Sequence, residues 1–386
     1  MRFLHTSDWH LGRTLHGVDL LDAQRAVLRQ IVEQVAQPHD AVPFDAVIVA
    51  GDIYDRAVPP VEAVSLFAEV LTELTAHTRV IVTAGNHDSA IRLGFGSELF
   101  TDRLHIRTSM SSIGEPVLIG DVAVYPLPYL DPDAARGTLR TGDDPLPRSH
   151  QAVMTAAMDL VRADLATRGP STRSIVVAHA FVVGGSASES ERSIVVGGVD
   201  HVAASTFDGV DYVALGHLHG AQQPSSASRT LLRYSGSPLR YSFSERGHRK
   251  SMTVLDLDES GVRVTEIPFR QPRAMADLTG TIDELLTGPL GGRHADDWVR
   301  ITVTDRSRPE RLFDRLKSRF PHVLQVFHVP AGALQPGEAR SPIAERSPRE
   351  LGADFVSHVT RVPGSAEELD LFEAAYREAG LEVGRA

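Results

Sequence analysis

Near its start the sequence reads Arg2-Phe3-Leu4-His5-Thr6-Ser7-Asp8-Trp9-His10. The first four residues of this stretch form a short β-type run that is apolar enough to be buried on both faces of a sheet. The polar residues that follow include Asp8 and His10, whose side chains can project the same way and bind one ion. The stretch therefore predicts a buried strand that leads directly into a metal site.

Later β-type runs are followed at once by residues of the same kind. The pairs of run and motif are Ala46–Val49 with Gly51-Asp52, Val80–Thr83 with Gly85-Asn86-His87-Asp88, Ser174–Ala178 with His179, and Tyr212–Ala214 with Gly216-His217-Leu218-His219. Any one of these motifs recurs by chance. A series in which each motif directly follows an apolar run instead indicates one shared site.

Amphipathic stretches lie between the runs, and Val122–Pro126 reads as a further strand. Asp22–Val35 and Val61–Leu74 carry apolar residues at helical spacing. This alternation predicts a layered α/β fold, in which ligands collect at the carboxyl ends of the strands. A β-rich section from Leu231 to Pro268 is expected to complete a second sheet, so that two sheets are flanked by helices.

The residue types favour a site with two divalent metal ions. Carboxylate and amide oxygens mixed with imidazoles suit manganese, iron or zinc better than calcium. Asp52 is the natural bridge between the two ions. One ion is expected among Asp8, His10, Asp52 and His219, and the other among Asp52, Asn86, His179 and His217. Two such ions can activate water and clamp the oxygens of an in-line displacement at phosphorus, which predicts hydrolysis of a phosphate ester.

His87 adjoins a ligand but is left over in this assignment. It is therefore the candidate for contacting the scissile phosphate or protonating the leaving oxygen. We expect Asp88 to orient it, although a loop cap or an ion-pair role suits Asp88 equally well. Asp55 is a candidate for supporting a ligand histidine through a hydrogen bond.

The sequence changes character after about residue 270. A helix at Asp277–Leu286, a strand at Trp298–Val303, a helix at Pro309–Phe320 and a strand at Val323–Val329 predict a small α+β domain over residues 271–330. A polar, proline-bearing stretch over 331–347 is interpreted as a linker. The tail, 348–386, has helical patterns that on their own fit a hairpin packed on its own domain.

Composition limits the remaining possibilities. The 386 residues include no cysteine, which excludes disulfides, thiolate zinc sites and cysteine nucleophiles. No apolar run approaches the ~20 residues that span a bilayer, and Met1–His5 leads into a strand-like segment rather than a signal sequence, so we expect a cytoplasmic protein. The formal net charge of −11 argues against an autonomous DNA-binding protein.

The motifs together resemble the calcineurin-like metallophosphoesterase superfamily and, within it, the SbcD family. The segments that carry the resemblance are His5–Gly12, Gly51–Asp55, Gly85–Ser89, Gly184–Arg192, Gly216–His219 and Tyr234–Pro238. They cover about residues 1–270, whereas the remainder is similar only in architecture.

The resemblance implies a manganese-dependent DNA nuclease with double-strand exonuclease and single-strand endonuclease activity. By this resemblance, the chain would dimerise through its metallophosphoesterase domain, residues 1–270, and would join two copies of the coiled-coil ATPase SbcC in DNA repair and recombination. By the same resemblance, residues 271–330 would form a capping domain and 348–386 a helical SbcC-binding segment. The ATPase would then supply much of the DNA-binding surface, which softens the objection from net charge.

Three arginines lie beside the motif loops, and each is a candidate for binding DNA phosphate: Arg13, Arg56 and Arg92. Two other functions remain open at this point. One is hydrolysis of a small phosphomonoester or cyclic nucleotide, which would need neither a cap nor an SbcC-binding tail. The other is a catalytically silent scaffold for SbcC and DNA, which the full set of expected ligands argues against.

Overall fold

The computed structural model describes residues 1–100, 102–140, 142–194, 201–331, 348–360 and 362–383. The chain divides into two compact units, Met1–Pro272 and Arg273–Ala386. The strands of the first unit are β1 (Arg2–Thr6), β2 (Thr14–Leu15), β3 (Val18–Asp19), β4 (Ala46–Ala50), β5 (Arg79–Thr83), β6 (Leu104–Arg107), β7 (Val117–Ile119), β8 (Val122–Pro126), β9 (Arg173–His179), β10 (Phe181–Val182), β11 (His201–Val202), β12 (Tyr212–Gly216), β13 (Leu231–Tyr234), β14 (Ser251–Asp258) and β15 (Gly261–Pro268).

The helices of this unit are α1 (Leu21–Ala36), α2 (Val61–His77), α3 (Ala90–Leu93), α4 (Pro132–Thr138) and α5 (His150–Leu165). Short 3-10 turns lie at Ser97–Leu99, Met110–Ser112, Ala204–Phe207 and Phe243–Gly247. The layered α/β class predicted from the sequence is confirmed. The strands and helices predicted for this unit are present, with bounds that differ by a few residues.

Two sheets form the core of the first unit. One has the order β15-β14-β1-β4-β5-β6, and the other has the order β13-β12-β9-β8-β7. Apolar residues of both sheets pack in one cluster between them, including Phe3 and Ile48 from the first sheet and Val124 and Val177 from the second. Helix α5 covers the outer face of the second sheet through residues such as Ala157. This packing brings the carboxyl ends of strands from both sheets to one edge.

The prediction for the β-rich closing section is partly wrong. Strand β13 does join the second sheet, but β14 and β15 extend the first. The reason is that β14 pairs antiparallel with β1, with Leu4 opposite Val254, and β15 returns along β14 as a hairpin. The alternating apolar residues of β14 therefore face the same core as those of β1.

The second unit contains a small region built on a three-stranded sheet, and two further helices. Its elements are β16 (Met275–Gly280), α6 (Ile282–Thr287), α7 (Leu290–Arg293), β17 (Trp298–Val303), α8 (Leu312–Arg319), β18 (Val323–His328), α9 (Pro348–Thr360) and α10 (Ala366–Val383). Strands β16, β17 and β18 form a parallel sheet, and its apolar residues pack on α6 and α8 through Leu285 and Leu316. The predicted linker over 331–347 lies outside the described residues except for Ala331.

The helix predicted at Asp277–Leu286 is wrong in its first part. Met275–Gly280 is a strand that pairs with β17, and the helix begins only after Thr281. The side chain of Thr281 accepts a hydrogen bond from the Glu284 backbone N–H while the Glu284 carboxylate accepts one from the Thr281 N–H. This capping box fixes the helix start, and the residues before it satisfy their backbone groups in the sheet.

The tail is helical, as predicted. Helices α9 and α10 pack on each other as a hairpin, and Arg349 joins them through ion pairs to Asp370 and Glu373, both at 2.7 Å. Gly352 allows this close approach, because a Cβ atom there would overlap the ring of Phe372.

Candidate metal centre

The sequence-predicted ligands come together where the two sheets meet. Strands β1, β4 and β5 are parallel neighbours in the first sheet, and β9 and β12 are parallel neighbours in the second. Their carboxyl ends therefore point to the same edge of the sandwich. The structure brings together at this edge the side chains of Asp8, His10, Asp52, Asn86, His179, His217 and His219.

The Asp52 carboxylate lies between the two proposed ion positions. Its Oδ2 atom is 3.5 Å from Nε2 of His10 on one side and 3.4 Å from Nε2 of His179 on the other. Asp8 lies close to both positions too, because its carboxylate is within 4.8 Å of the ligand atoms of His10 and His219 and also of those of Asp52 and His179. Both carboxylates can therefore share their charge between two cations.

The remaining candidate ligands sit beside these carboxylates. Nε2 of His10 is 3.0 Å from Nε2 of His219. On the other side, Oδ1 of Asn86 is 2.9 Å from Nε2 of His179 and 3.2 Å from Nδ1 of His217. His10 and His219 thus lie together on one side of Asp52, and Asn86, His179 and His217 lie together on the other, whereas Asp8 reaches both sides.

The backbone at the candidate ligands is strained. Asp8, His10, Asp52 and His217 have positive φ angles of 55°, 45°, 53° and 106°. Such a conformation costs roughly 1–3 kcal/mol for a non-glycine residue and persists only where its surroundings enforce it. Here backbone hydrogen bonds enforce it, including Asp8 N–H to Gly51 O at 3.1 Å and His10 N–H to Asp52 O at 3.0 Å. The strained conformations therefore lower the free energy of unfolding, and they direct these side chains toward one point.

Two glycines permit the close approach of the motif loops. A Cβ atom at Gly85 would overlap the Asp52 backbone and carboxylate, and one at Gly216 would overlap the Ala50 carbonyl oxygen. Neither glycine has a positive φ angle, so close approach is the reason for the glycine at both positions. The glycines that precede Asn86 and His217 are thus part of the site's geometry.

The hydrogen bonds of the imidazoles fit a bound cation. Nδ1 of His179 donates to the Ala50 carbonyl at 3.0 Å, which leaves a lone pair on Nε2. That lone pair faces two oxygen acceptors, Oδ1 of Asn86 and Oδ2 of Asp52. Converging acceptors repel one another unless a proton or a cation lies among them. The donor set of carboxylates, amide and imidazoles therefore fits a divalent metal.

Burial controls the charge states in the cluster. Burial lowers the pKa of His10 well below its ordinary value and that of His217 to about 3, so both imidazoles are neutral, as metal ligands must be. Burial opposes ionisation of Asp52, but the imidazoles of His179, His10 and His87 hold the pKa of its carboxyl well below the usual range. Burial raises the pKa of Asp8 to about 6, a cost that a neighbouring cation would remove.

His87 lies beside the cluster with one nitrogen uncommitted. Its Nδ1 donates to the Asp55 carbonyl at 2.8 Å, and its Nε2 is 4.0 Å from Oδ2 of Asp52. That Nε2 atom is buried and has no hydrogen-bond partner among the described residues. Its backbone N–H donates to Oδ1 of Asp52 at 2.9 Å. The ring is thus held in place with a free nitrogen facing the metal cluster.

The contacts of Asp88 differ from the expectation that it orients His87. Its carboxylate accepts backbone N–H groups from Gly85 at 2.9 Å, Ile53 at 3.1 Å and Tyr54 at 2.9 Å. These bonds join the loop after β5 to the loop after β4, while the Asp55 carbonyl orients His87. Asp55 also lies near Nδ1 of His10, at 3.7 Å. Asp88 therefore acts on the site by holding two loops together.

The three candidate DNA-binding arginines have different surroundings. Arg13 donates to the Ser190 carbonyl at 2.8 Å, lies 3.5 Å from Oδ1 of Asp55 and stacks over the Tyr241 ring. Arg92 is exposed and donates to the Ala57 carbonyl at 3.0 Å. Arg56 is exposed and 4.0 Å from Oδ2 of Asp55. Arg13 is therefore committed to internal contacts, and the other two remain accessible to a phosphate.

Sequence reasoning missed a buried polar group behind His219. Glu245 and Lys250 form an ion pair at 2.5 Å, and both side chains are almost fully buried. Nδ1 of His219 is 2.7 Å from Oγ of Ser190 and 3.2 Å from Oε1 of Glu245. Glu245 lies in the short turn Phe243–Gly247, where no helical or strand periodicity marks a residue as buried.

Comparison with protein families gives two matches. A model described as calcineurin-like phosphoesterase matches residues 1–221. A model for the SbcD C-terminal domain, described as type 5 capsule protein repressor C-terminal domain, matches residues 271–360. The first match contains every candidate ligand.

Among the described residues, no helix combines the length and the apolar character needed to cross a membrane.

Proposed function

Because the chain belongs to the calcineurin-like phosphoesterase family and carries an SbcD C-terminal domain, we propose that it is the nuclease subunit of an SbcCD-type DNA repair and recombination complex. The family is one of phosphoester hydrolases that use divalent metals. The proposal adds DNA as the substrate, with double-strand exonuclease and single-strand endonuclease activity. It also proposes that residues 271–330 form a domain that caps the nuclease domain. The protein would be located in the cytoplasm together with the DNA.

The observation that carries the proposal is the joint presence of the two features in one chain. The Asp52-centred cluster supplies the means to cleave a phosphate ester, and it would serve a small substrate equally well. The SbcD C-terminal domain gives the reason to favour DNA, because a small-substrate phosphoesterase needs no such domain. The strained, buried ligands argue for a working site rather than a silent scaffold.

We assign one metal to Asp8, His10, Asp52 and His219, and the other to Asp52, Asn86, His179 and His217. The mixture of oxygen and imidazole donors favours manganese. When bound, the two ions would lower the pKa of a water molecule and neutralise charge on the phosphate. His87 would present Nε2 to a phosphate oxygen or to the leaving oxygen, since its other nitrogen is occupied by the Asp55 carbonyl.

A homodimer through the first unit is supported by an exposed apolar surface beside the site. Ile91, Phe95 and Leu99 are between 87% and 89% exposed. Val58 and Val61 are also exposed, and the bond from Arg92 to the Ala57 carbonyl ties the two segments together. Clustered exposed side chains of this size usually mark a protein interface. We call Val58, Val61, Ile91, Phe95 and Leu99 the apolar surface.

Binding of an SbcC-type ATPase is assigned to the helical hairpin of α9 and α10. Several large apolar side chains on these helices are exposed, among them Phe355 and Leu371. An amphipathic helix pair with an open apolar face can pack on a coiled coil. With a dimeric nuclease, two hairpins would hold two ATPase copies, which gives a complex with two of each subunit. Arg56 and Arg92 are the accessible candidates for DNA phosphates, and Arg13 would act only after its present contacts break.

The test is cleavage of linear duplex and single-stranded DNA by the purified chain with manganese. We expect cleavage that is lost with a chelator and in His87→Ala. The matched control is His77→Ala, an exposed histidine at the end of α2, which should cut like the wild type. Intact DNA together with rapid hydrolysis of a small phosphodiester or monoester would overturn the choice of substrate. Cleavage that persists in a chelator would overturn the metal mechanism.

A further inference from the structure

The candidate ligand His219 is held on all sides by one buried network. Its backbone N–H donates to Oε1 of Glu191 at 2.8 Å, and its carbonyl accepts from Nζ of Lys250 at 2.8 Å. Its ring Nδ1 faces Ser190 and Glu245. Both backbone polar groups and one ring nitrogen are thereby occupied, so that only Nε2 remains to face the cluster.

Glu245 and Lys250 are the centre of this network. Oε2 of Glu245 accepts from Lys250, while Oε1 accepts from the hydroxyl of Ser190 and faces Nδ1 of His219. Lys250 uses its three protons on Glu245, the His219 carbonyl and Oγ of Ser237, the last at 2.8 Å. Glu245 and Lys250 therefore contact each other, and each also contacts His219. A lysine suits this position because its ammonium donates in three directions from a single atom.

A carboxylate that accepts the Nδ1 proton determines the form of the imidazole. It keeps the proton on Nδ1, leaves the lone pair on Nε2 and fixes the ring plane. Glu245 meets this requirement for His219 both at 3.2 Å from Nδ1 and through Ser190, whose hydroxyl donates to Glu245 and whose oxygen lies 2.7 Å from Nδ1. His179 has a backbone carbonyl in the equivalent place, since its Nδ1 donates to Ala50 O. The two proposed metal positions therefore differ in how their histidines are supported.

We propose that Glu245 and Lys250 are positioning residues that hold His219 as a metal ligand, so that they control the metal position formed with Asp8 and His10 more than the one formed with Asn86 and His179. The inference rests on the proposed metal centre and extends it to residues that touch neither metal nor substrate. A buried ion pair adds little net stability compared with apolar residues of the same size, so stability alone does not account for this one.

The test measures manganese binding rather than activity. Calorimetric titration and electron paramagnetic resonance of the full chain would compare the wild type with Glu245→Gln. We expect two sites in the wild type. In the variant, affinity at one site should fall by about 10–100-fold, the usual effect of losing such a hydrogen-bond partner. The spectrum should change from that of a coupled pair of ions to that of single ions at metal concentrations that fill both wild-type sites.

Matched controls separate positioning from general damage. Lys250→Met should lose affinity at the same site as Glu245→Gln. Two controls remove a charge elsewhere: Glu266→Gln removes a carboxylate paired with Arg233, away from the cluster, and Lys317→Met removes the other lysine of the chain, which is exposed. Both should bind two ions with wild-type affinity. Circular dichroism of the metal-free proteins checks folding. If Glu245→Gln does not fold, Glu245→Asp keeps the charge beside Lys250 but shortens the reach to His219, and it should lose affinity at the same site.

The outcomes distinguish this inference from the proposed function. Wild-type affinity at both sites in folded Glu245→Gln or Glu245→Asp would overturn the positioning role, as would an equal loss at both sites. A wild-type protein that binds two ions but leaves DNA intact would refute the nuclease proposal, while the variants would still decide the role of Glu245. A wild-type protein that binds no manganese would overturn both.

Discussion

The Nε2 atom of His179 lies 3.4 Å from Oδ2 of Asp52, and both side chains are almost fully buried. Nδ1 of His179 is already committed to the Ala50 carbonyl, so Nε2 is the ring nitrogen that faces the carboxylate. Burial lowers the pKa of this histidine, yet the Asp52 charge and hydrogen bond raise it to about 9. In the absence of a cation, a proton on His179 therefore compensates the charge of Asp52, and a metal ion would take over that role.

Metal binding should accordingly stabilise the folded chain. We expect manganese to raise the melting temperature and a chelator to reverse the rise, because the ion binds the folded state alone. At a free concentration of 100 times Kd the gain is about 2.7 kcal/mol. Asp52→Asn should abolish the shift, whereas Asp159→Asn, on the exposed face of α5, should retain it. Thermal scans of the three proteins would check this, and an unchanged shift in Asp52→Asn would rule out a ligand role for Asp52.

Gly216→Ala should damage the metal centre without adding a polar group. The new methyl would overlap the Ala50 carbonyl oxygen and lie 2.8 Å from Nδ1 of His179, so β12 and β4 would have to move apart. Overpacking of this kind typically costs about 1–3 kcal/mol, and we expect manganese affinity to fall as well.

The matched control is Gly137→Ala. Gly137 lies in α4, and a Cβ atom there meets nothing within 4 Å. Alanine at a helical position should stabilise the chain by about 0.5–1 kcal/mol. Urea unfolding and manganese titration would measure both variants. Equal behaviour of the two would show that close approach at Gly216 is not required.

Mutations of Asp88 and His87 should have different effects on stability and on DNA cleavage, although the two residues are adjacent. Asp88→Asn replaces an acceptor that serves three backbone N–H groups, so one of these donors would face an amide N–H₂. The expected cost is about 1–3 kcal/mol of unfolding free energy. His87→Ala should lose DNA cleavage with a smaller change in stability. Urea unfolding and a cleavage assay on both variants give the comparison, and full stability of Asp88→Asn would contradict its role as a link between loops.

These two residues show what the sequence could and could not predict. The candidate ligands were predictable because each follows a buried strand, and parallel strands deliver their carboxyl ends to one edge. The bonds of Asp88 were not, because they depend on how the loops after β4 and β5 fold against each other. Nothing in Gly85-Asn86-His87-Asp88 distinguishes a carboxylate that orients its neighbour from one that caps another loop.

Long-range pairing accounts for the other differences. The apolar pattern of β14 predicted a strand correctly but could not tell which sheet it joins, since that depends on pairing with β1 across more than 240 residues. Met275–Gly280 has residues compatible with either helix or strand, and its parallel partner β17 decides the outcome. The stretch that contains Glu245 and Lys250 has the composition of a solvated turn. Its burial depends on the folded chain, which brings the two side chains together.

The apolar surface should hold two copies of the chain together. Replacing Phe95 with glutamate would place a charge in the interface, where it would lose its hydration without a partner. We expect light scattering after gel filtration to show a dimer for the wild type and a monomer for Phe95→Glu. Leu118→Glu changes another exposed apolar residue, on β7, and should leave the dimer intact. A dimer in Phe95→Glu would locate the interface elsewhere.

The α9–α10 hairpin should bind the coiled-coil ATPase through its open apolar face. Phe355 and Leu371 are 65% and 73% exposed, and burial of each on a partner is worth about 1.5–3 kcal/mol. The double variant Phe355→Glu/Leu371→Glu should therefore weaken binding by at least about tenfold, since 1.4 kcal/mol corresponds to a factor of ten. Phe313→Glu is the control, because Phe313 is also exposed and lies on α8 of the same unit. Co-purification with an SbcC-type ATPase would measure the effect, and manganese-dependent cleavage of single-stranded DNA by the isolated subunit should survive both changes. Loss of binding in Phe313→Glu with retention in the double variant would assign the contact to the α6–α8 region instead.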